Sequence, residues 1–211
     1  MLKALLLILE PMSTWDKIFR ARRGAVFILG VYLLPLLLVT SAVEGYSLVH
    51  WGRKRGETQE LAQTKRFTCG EAVTFETAQM LLSLVVVLVS ASIVNSIGQT
   101  FYGHRTFVQA LSAVAYGLSP LFLLRLLDFF PGINPWVSWS IGIVLSLKVL
   151  YQGVPRMMEP DPSFAFALFV VSSLVVIIIT GLLRFMTWWY LIGKLSQLDD
   201  LISGLAARLP F

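Results

Sequence analysis

Charge is what this sequence most lacks. Only 14% of its 211 residues are Asp, Glu, Lys or Arg, against 56% hydrophobic residues and a mean hydropathy of +0.76. A soluble globular domain carries about 25% charge, so the deficit points to lipid as the solvent. Cysteine is nearly absent. Cys69 stands alone, which excludes an intramolecular disulfide and leaves it as a small loop residue. The two histidines, His50 and His104, lie far apart and, with Cys69, lack metal-ligand spacing. No P-loop, dinucleotide fingerprint, His-Glu-x-x-His pair or nucleophile elbow is present. No acid pair is expected to be embedded in a span. The expectation is a protein that is not an enzyme, with no catalytic, cofactor or metal site. Lys and Arg exceed Asp and Glu, 17 against 12. No basic patch with interleaved aromatics accompanies that excess, which argues against nucleic acid as a partner. Basic residues flanking apolar runs suit a membrane surface instead.

What the sequence does have is long apolar runs. Five spans are expected, at about 24–43, 78–97, 107–127, 135–152 and 163–183. Most are long enough to cross a hydrocarbon core about 30 Å thick at about 1.5 Å per residue. The predicted fold class is all-α: a polytopic membrane helical bundle of about five transmembrane helices with amphipathic helices at both ends. Segment 1–23 reads as an interfacial anchor. Leu2, Leu5, Leu6 and Leu9 share one helical face before Pro11, and Trp15, Ile18 and Phe19 share a side of a second short helix among basic residues. The run 4–9 is too short for a signal-peptide core, and Glu10-Pro11 interrupts it, so a cleaved leader is not expected. Segment 184–211 repeats leucines at steps of three and four, including Leu195, Leu198, Ile202 and Leu205. It reads as an amphipathic C-terminal helix for a membrane surface or a partner helix.

Between the first two spans lies polar loop 44–77, with Arg53, Lys54 and Arg55 as candidate partner contacts. Pro35 predicts a kink in the first span. The second span is rich in small polar groups, with Ser92 and Asn95 as candidate interhelical or path-lining residues. Arg125 and Asp128, three apart at the end of the third span, are expected to pair across a turn at the interface. Pro131-Gly132 makes a tight turn that forces the third and fourth spans into an antiparallel hairpin. Lys148 in the fourth span is expected to snorkel to the headgroups, with a buried functional role as the alternative. Three prolines within 152–162 predict an extended exit. Arg184 closes the fifth span.

Two pieces of this pattern resemble a known family. Ala115-Tyr-Gly-Leu-Ser-Pro-Leu-Phe-Leu123, carrying Tyr116 and Pro120, resembles the Gly/Ala-Tyr…Pro helix of the Yip (Ypt-interacting protein) membrane family. Leu150-Tyr-Gln-Gly-Val-Pro155, carrying Tyr151, Gly153 and Pro155, is similar to the exit motif of its bacterial members. The order and spacing of the spans, including the Pro131-Gly132 hairpin, fit the same family from about Met12 to Leu183. The resemblance implies a five-span membrane fold, a bacterial cytoplasmic (inner) membrane and an N-terminus in the cytoplasm. Basic residues alone divide almost evenly, eight on the N-terminal side and nine on the other. Eukaryotic relatives bind small Rab-type GTPases and carry a long cytosolic N-terminal region with an acidic Asp-Leu-Tyr-Gly-Pro motif. Neither feature is present here, which counts against GTPase binding.

Two functional readings stay open at this stage. The first is a non-enzymatic membrane subunit, an adaptor or scaffold for membrane proteins or lipid, with other membrane proteins or further copies of itself as partners. The second is a small transporter or channel component, with Ser92, Asn95, Tyr116, Lys148 and the prolines 35 and 120 lining a path.

Overall fold

An uncharged run in lipid has no water for its backbone N–H and C=O groups, so it must satisfy them within a helix. The computed structural model describes residues 2–21, 23–55, 63–100, 106–130, 132–194, 200–204 and 207. Among these residues, five helices are long and apolar enough to cross a membrane: α3 (Ala25–His50), α4 (Cys69–Thr100), α5 (Phe107–Phe129), α6 (Pro135–Met158) and α7 (Ala165–Leu191). Two short helices precede them, α1 (Leu2–Leu9) and α2 (Pro11–Ala21). A two-stranded antiparallel hairpin, β1 (Arg53–Arg55) with β2 (Gln63–Lys65), joins α3 to α4, with Arg53 opposite Lys65.

The helices overrun the expected spans, and at α4 a local signal explains why. Thr68 and Glu71 form a reciprocal cap: Thr68 N–H donates to Glu71 Oε2 at 2.8 Å, and Glu71 N–H donates to Thr68 Oγ1 at 3.2 Å. That cap starts α4 at Cys69, so the cysteine expected in a loop stands at the first turn of a helix. α3 likewise continues past residue 43 to His50, and the expected loop 44–77 shrinks to the hairpin and its flanks.

Proline acts differently at each of three sites. Ahead of Pro35, residues Ile28–Leu33 wind as a π-helix, and Leu34 N–H reaches back to Leu29 O. The widened turn accommodates a ring that would clash with an α-helical carbonyl. In α5 the winding breaks at Leu118, and Pro120 opens a new segment, Ser119–Leu124, in whose first turn a missing N–H costs nothing. Pro155 does not end α6. The extended exit expected from residue 152 is instead helix as far as Met158, closed by Glu159 at φ 41°. One proline removes a single N–H, and the packing around Gly153 holds the turn in place.

α5 lies at the centre. Buried residues make up 72% of its apolar window, against 28–44% in the other four helices. It packs on α4 and α6, which in turn pack on α7, while α3 leans on α4. α1 and α2 do not lie free among headgroups. Trp15 is fully buried, and its indole N–H donates to Val149 O at 3.1 Å. Ala4 and Leu7 of α1 face the bundle, whereas Leu5, Leu6 and Leu9 face outward. The leucine stripe seen in the sequence is therefore the outer face, and the smaller Ala4 permits close packing on the inner one.

Candidate functional site

The charges that the sequence places at the ends of spans meet inside the bundle, at the end opposite α2. Glu44 of α3, Glu76 of α4, Arg125 and Asp128 of α5, Arg184 of α7 and Arg53 of β1 are all buried, Asp128 completely. Arg125 bridges both glutamates. Its Nη2 lies 2.7 Å from Glu44 Oε2 and 3.3 Å from Glu76 Oε2, and its Nε donates to Glu44 Oε2 at 3.3 Å. Arg184 pairs with Asp128 Oδ2 and also donates from Nη2 to Pro135 O at 2.9 Å, tying in the start of α6. Arg53 donates to the backbone carbonyl of Asp128, and Ser47 Oγ donates to Phe129 O at 2.7 Å.

This layer joins all five spans. A buried charge is tolerable only when paired and hydrogen-bonded. Arginine suits the task because its planar fork offers several donors to carboxylates and carbonyls at once. The expected pairing of Arg125 with Asp128 is overturned: each turns inward to partners on other helices. The statement that no acid pair falls within a span is overturned too, since Glu44 and Glu76 share one guanidinium. Both sit inside helices that run beyond the apolar stretch. The signal in the sequence was positional. Glu44, Glu76, Arg125, Asp128 and Arg184 all lie near the ends of their runs on one side of the membrane, with acids and bases nearly balanced.

Three concavities accompany this arrangement. A small chamber of about 40 Å³ lies beside Arg125 and Arg184, lined also by Gln79, Ser138 and Trp139. A larger groove of about 430 Å³ opens between α3 and α4, with Ser41, Gly45, Tyr46, His50 and Glu76 among its walls. A third, of about 150 Å³, lies at the other end around Arg23, Gln109, Ser112 and Tyr116. No lining residue is shared between any two of them. The bundle interior holds Leu111, Tyr116, Leu118 and Leu150, each at most 1% exposed.

Tyr116 sits between Trp15, edge-on with ring centroids 6.3 Å apart, and Tyr32 at 4.2 Å. Gly153 faces the Trp15 ring so closely that a Cβ there would overlap it. Tyr151 points outward, edge-on to Phe169. Pro155 is half-buried, and Gly132 is exposed in the turn between α5 and α6. Of the candidate path residues, Tyr116 lies in the core, Asn95 is half-buried, and Ser92 and Lys148 are exposed on the outer faces of their helices. Ser92 Oγ bonds back to Leu88 O at 2.9 Å. Only Tyr116 among these four lines one of the three concavities.

Arg53 was expected to face a partner and is turned inward instead, because the Asp128 carbonyl beneath the hairpin offers it an acceptor. Lys54 and Arg55 lie in β1, and their side chains fall outside the described residues, as do Pro131, Leu195, Leu198 and Leu205. Residues 200–204 are helical, and Ile202 packs against a small cluster that includes Leu48, Phe67, Phe75 and Tyr190. Among the described residues, no three His, Cys, Asp or Glu side chains are grouped to hold a metal ion.

The Yip1 domain family model matches residues 5–185. No curated protein and no solved structure matches the chain.

Proposed function

The chain belongs to the Yip1 domain family of membrane proteins, and from that premise we propose that it is a non-enzymatic membrane subunit, an adaptor or scaffold that holds membrane-protein partners or organises lipid. The observation that carries the reading is the contrast between interior and perimeter. Inside, the core is filled, with Leu111, Tyr116, Leu118 and Leu150 at most 1% exposed, and the concavities described above share no lining residue. Outside, apolar side chains such as Leu81, Val85, Val144 and Leu182 are exposed along the spans, and the groove between α3 and α4 opens on that perimeter. Such a body presents surface rather than a path. The charge layer suits it, because five spans tied at one end keep that surface in a constant shape. We place the end bearing α2 on the cytoplasmic side of a bacterial inner membrane, as the family resemblance implies. Residues 184–211, with Ile202 docked on the bundle end, offer a further contact for a partner helix.

The test is purification of the intact chain in a mild detergent followed by native mass determination. A stable complex with other membrane proteins, or with defined lipids, is the expected result. Solute flux through the bare chain in liposomes, lost on Asn95→Leu or Lys148→Met, would overturn the reading in favour of a transporter or channel component.

A further inference from the structure

The cavity around Arg23 holds a cation without an anion. Among the described residues its walls carry one charged side chain, Arg23, and no carboxylate. The shortage is written in the sequence. Residues 17–43, which include Arg23, and residues 77–127, which include Thr106 and Gln109, contain no Asp or Glu. Asp16, just outside the first stretch, is taken by Arg156 at 3.1 Å. Arg23 is half-buried and forms no ion pair among the described residues, and none of its side-chain nitrogens is enclosed. Its guanidinium lies over the Phe27 ring, 3.9 Å from the centroid. A ring supplies no acceptor for the N–H fork, which stays available to an oxyanion. A second donor stands on the same cavity. Gln109 Oε1 accepts from Thr106 N–H at 2.8 Å and from Thr106 Oγ1 at 3.2 Å. A backbone N–H can only donate, so the amide oxygen is fixed on Thr106 and Gln109 Nε2 is left open and without a partner among the described residues. The cavity measures about 150 Å³, with Tyr116 and Met157 its most buried walls at 1% and 4% exposed. Small-molecule pockets start at about 300 Å³, so this one suits a single compact group.

We propose that this cavity binds the phosphate of one anionic phospholipid, a phosphodiester whose headgroup carries no cation. The Arg23 fork donates to the phosphate oxygens, as planar guanidinium groups do, and Gln109 Nε2 adds a neutral donor. Arg23 stands two residues before α3 begins at Ala25, the level at which an apolar span meets headgroups. A membrane lipid therefore reaches the cavity without leaving the bilayer. A choline headgroup also contains a phosphate, but its own cation neutralises that phosphate and repels Arg23. This inference deepens the lipid-organising part of the proposed function and rests on it.

The experiment offers the purified intact chain an equimolar mixture of phosphatidylglycerol and phosphatidylcholine with identical acyl chains, and counts the retained lipid by native mass determination. One phosphatidylglycerol per chain should be held in preference by about tenfold, the ratio that one charge-assisted hydrogen bond supplies. Arg23→Met should bring the two lipids to parity. Gln109→Glu keeps the fold intact, because a glutamate at this position accepts the same Thr106 N–H. Its unfolding temperature should not fall, yet its carboxylate gives Arg23 an internal anion and should also bring parity. Lys17→Gln with Arg20→Gln removes two exposed charges of α2 and should leave the preference unchanged. Equal retention by the unaltered chain, or a preference that survives Arg23→Met or Gln109→Glu, would overturn the proposal. So would a preference lost with Lys17→Gln and Arg20→Gln, since diffuse surface charge would then account for it. Inorganic phosphate in excess should leave the lipid in place; displacement would mean that the cavity takes the free ion, and the lipid assignment would fall. Co-purifying membrane proteins without this lipid preference would leave the scaffold reading standing and sink only this one.

Discussion

The two ends of the bundle are held together by opposite means. At the end bearing α2, the fit is apolar: Trp15 lies over Gly153, Tyr116 between Trp15 and Tyr32, and Leu150 against Gly117. At the other end, six buried charged residues and a few backbone carbonyls tie five spans. An apolar fit is sensitive to volume and indifferent to which apolar group supplies it. A buried charge layer is indifferent to small changes of volume but fails when one member is removed, because its partner stays behind unpaired.

That contrast sets the order of expected effects. Arg125→Met should be the most damaging, since it strands Glu44 and Glu76 together in the interior. A loss of about 3–5 kcal/mol is expected, measured as denaturant unfolding of the detergent-solubilised chain. Adding Glu44→Gln and Glu76→Gln should recover most of it. If the triple variant is no more stable than the single one, the charge end does not work as described. Gly153→Leu probes the other end. Its side chain would occupy the space of the Trp15 ring, for a cost of about 1–3 kcal/mol. Combined with Trp15→Ala, the total loss should fall short of the sum of the two single losses, the mark of residues in contact. Strict additivity would mean that α2 packs elsewhere.

Tyr32→Phe is a smaller probe of the same end. It removes the hydrogen bond between the Tyr32 and Ser119 hydroxyls, and about 1 kcal/mol should be lost. Ser119 keeps its bond to Tyr116 O at 2.7 Å, so a much larger loss would show that the break at Leu118 depends on Tyr32. Smallest of all should be Lys148→Met. The lysine is exposed on the outer face of α6, and the unfolding temperature should not move. A clear drop would place a partner for Lys148 on that face.

Much of the fold was legible from composition and run length. Where it was not, the reason is specific. The expected spans end where the apolar residues end, but a helix ends where its backbone hydrogen bonds end. The Thr68–Glu71 cap and the continuation of α3 carry both helices well past that point. Glu44 and Glu76 were therefore assigned to a loop, and the layer they build was invisible. Trp15 was read as an interface residue because aromatic and basic neighbours favour headgroups. Its actual partner, the space above Gly153, lies more than a hundred positions away and leaves no local trace.

The sequence by itself determined that this chain lives in a membrane as about five helices, and it carried the order and spacing by which the family is known. Both follow from one-dimensional quantities: the length of uncharged runs and the positions of glycine and proline between them. Only the tertiary structure decided which charges pair, which face of α1 turns inward, and that Pro155 stays within a helix. Those outcomes depend on which side chains from distant parts of the chain arrive at one place. A buried charge, once there, must take whatever partner the packing brings within reach.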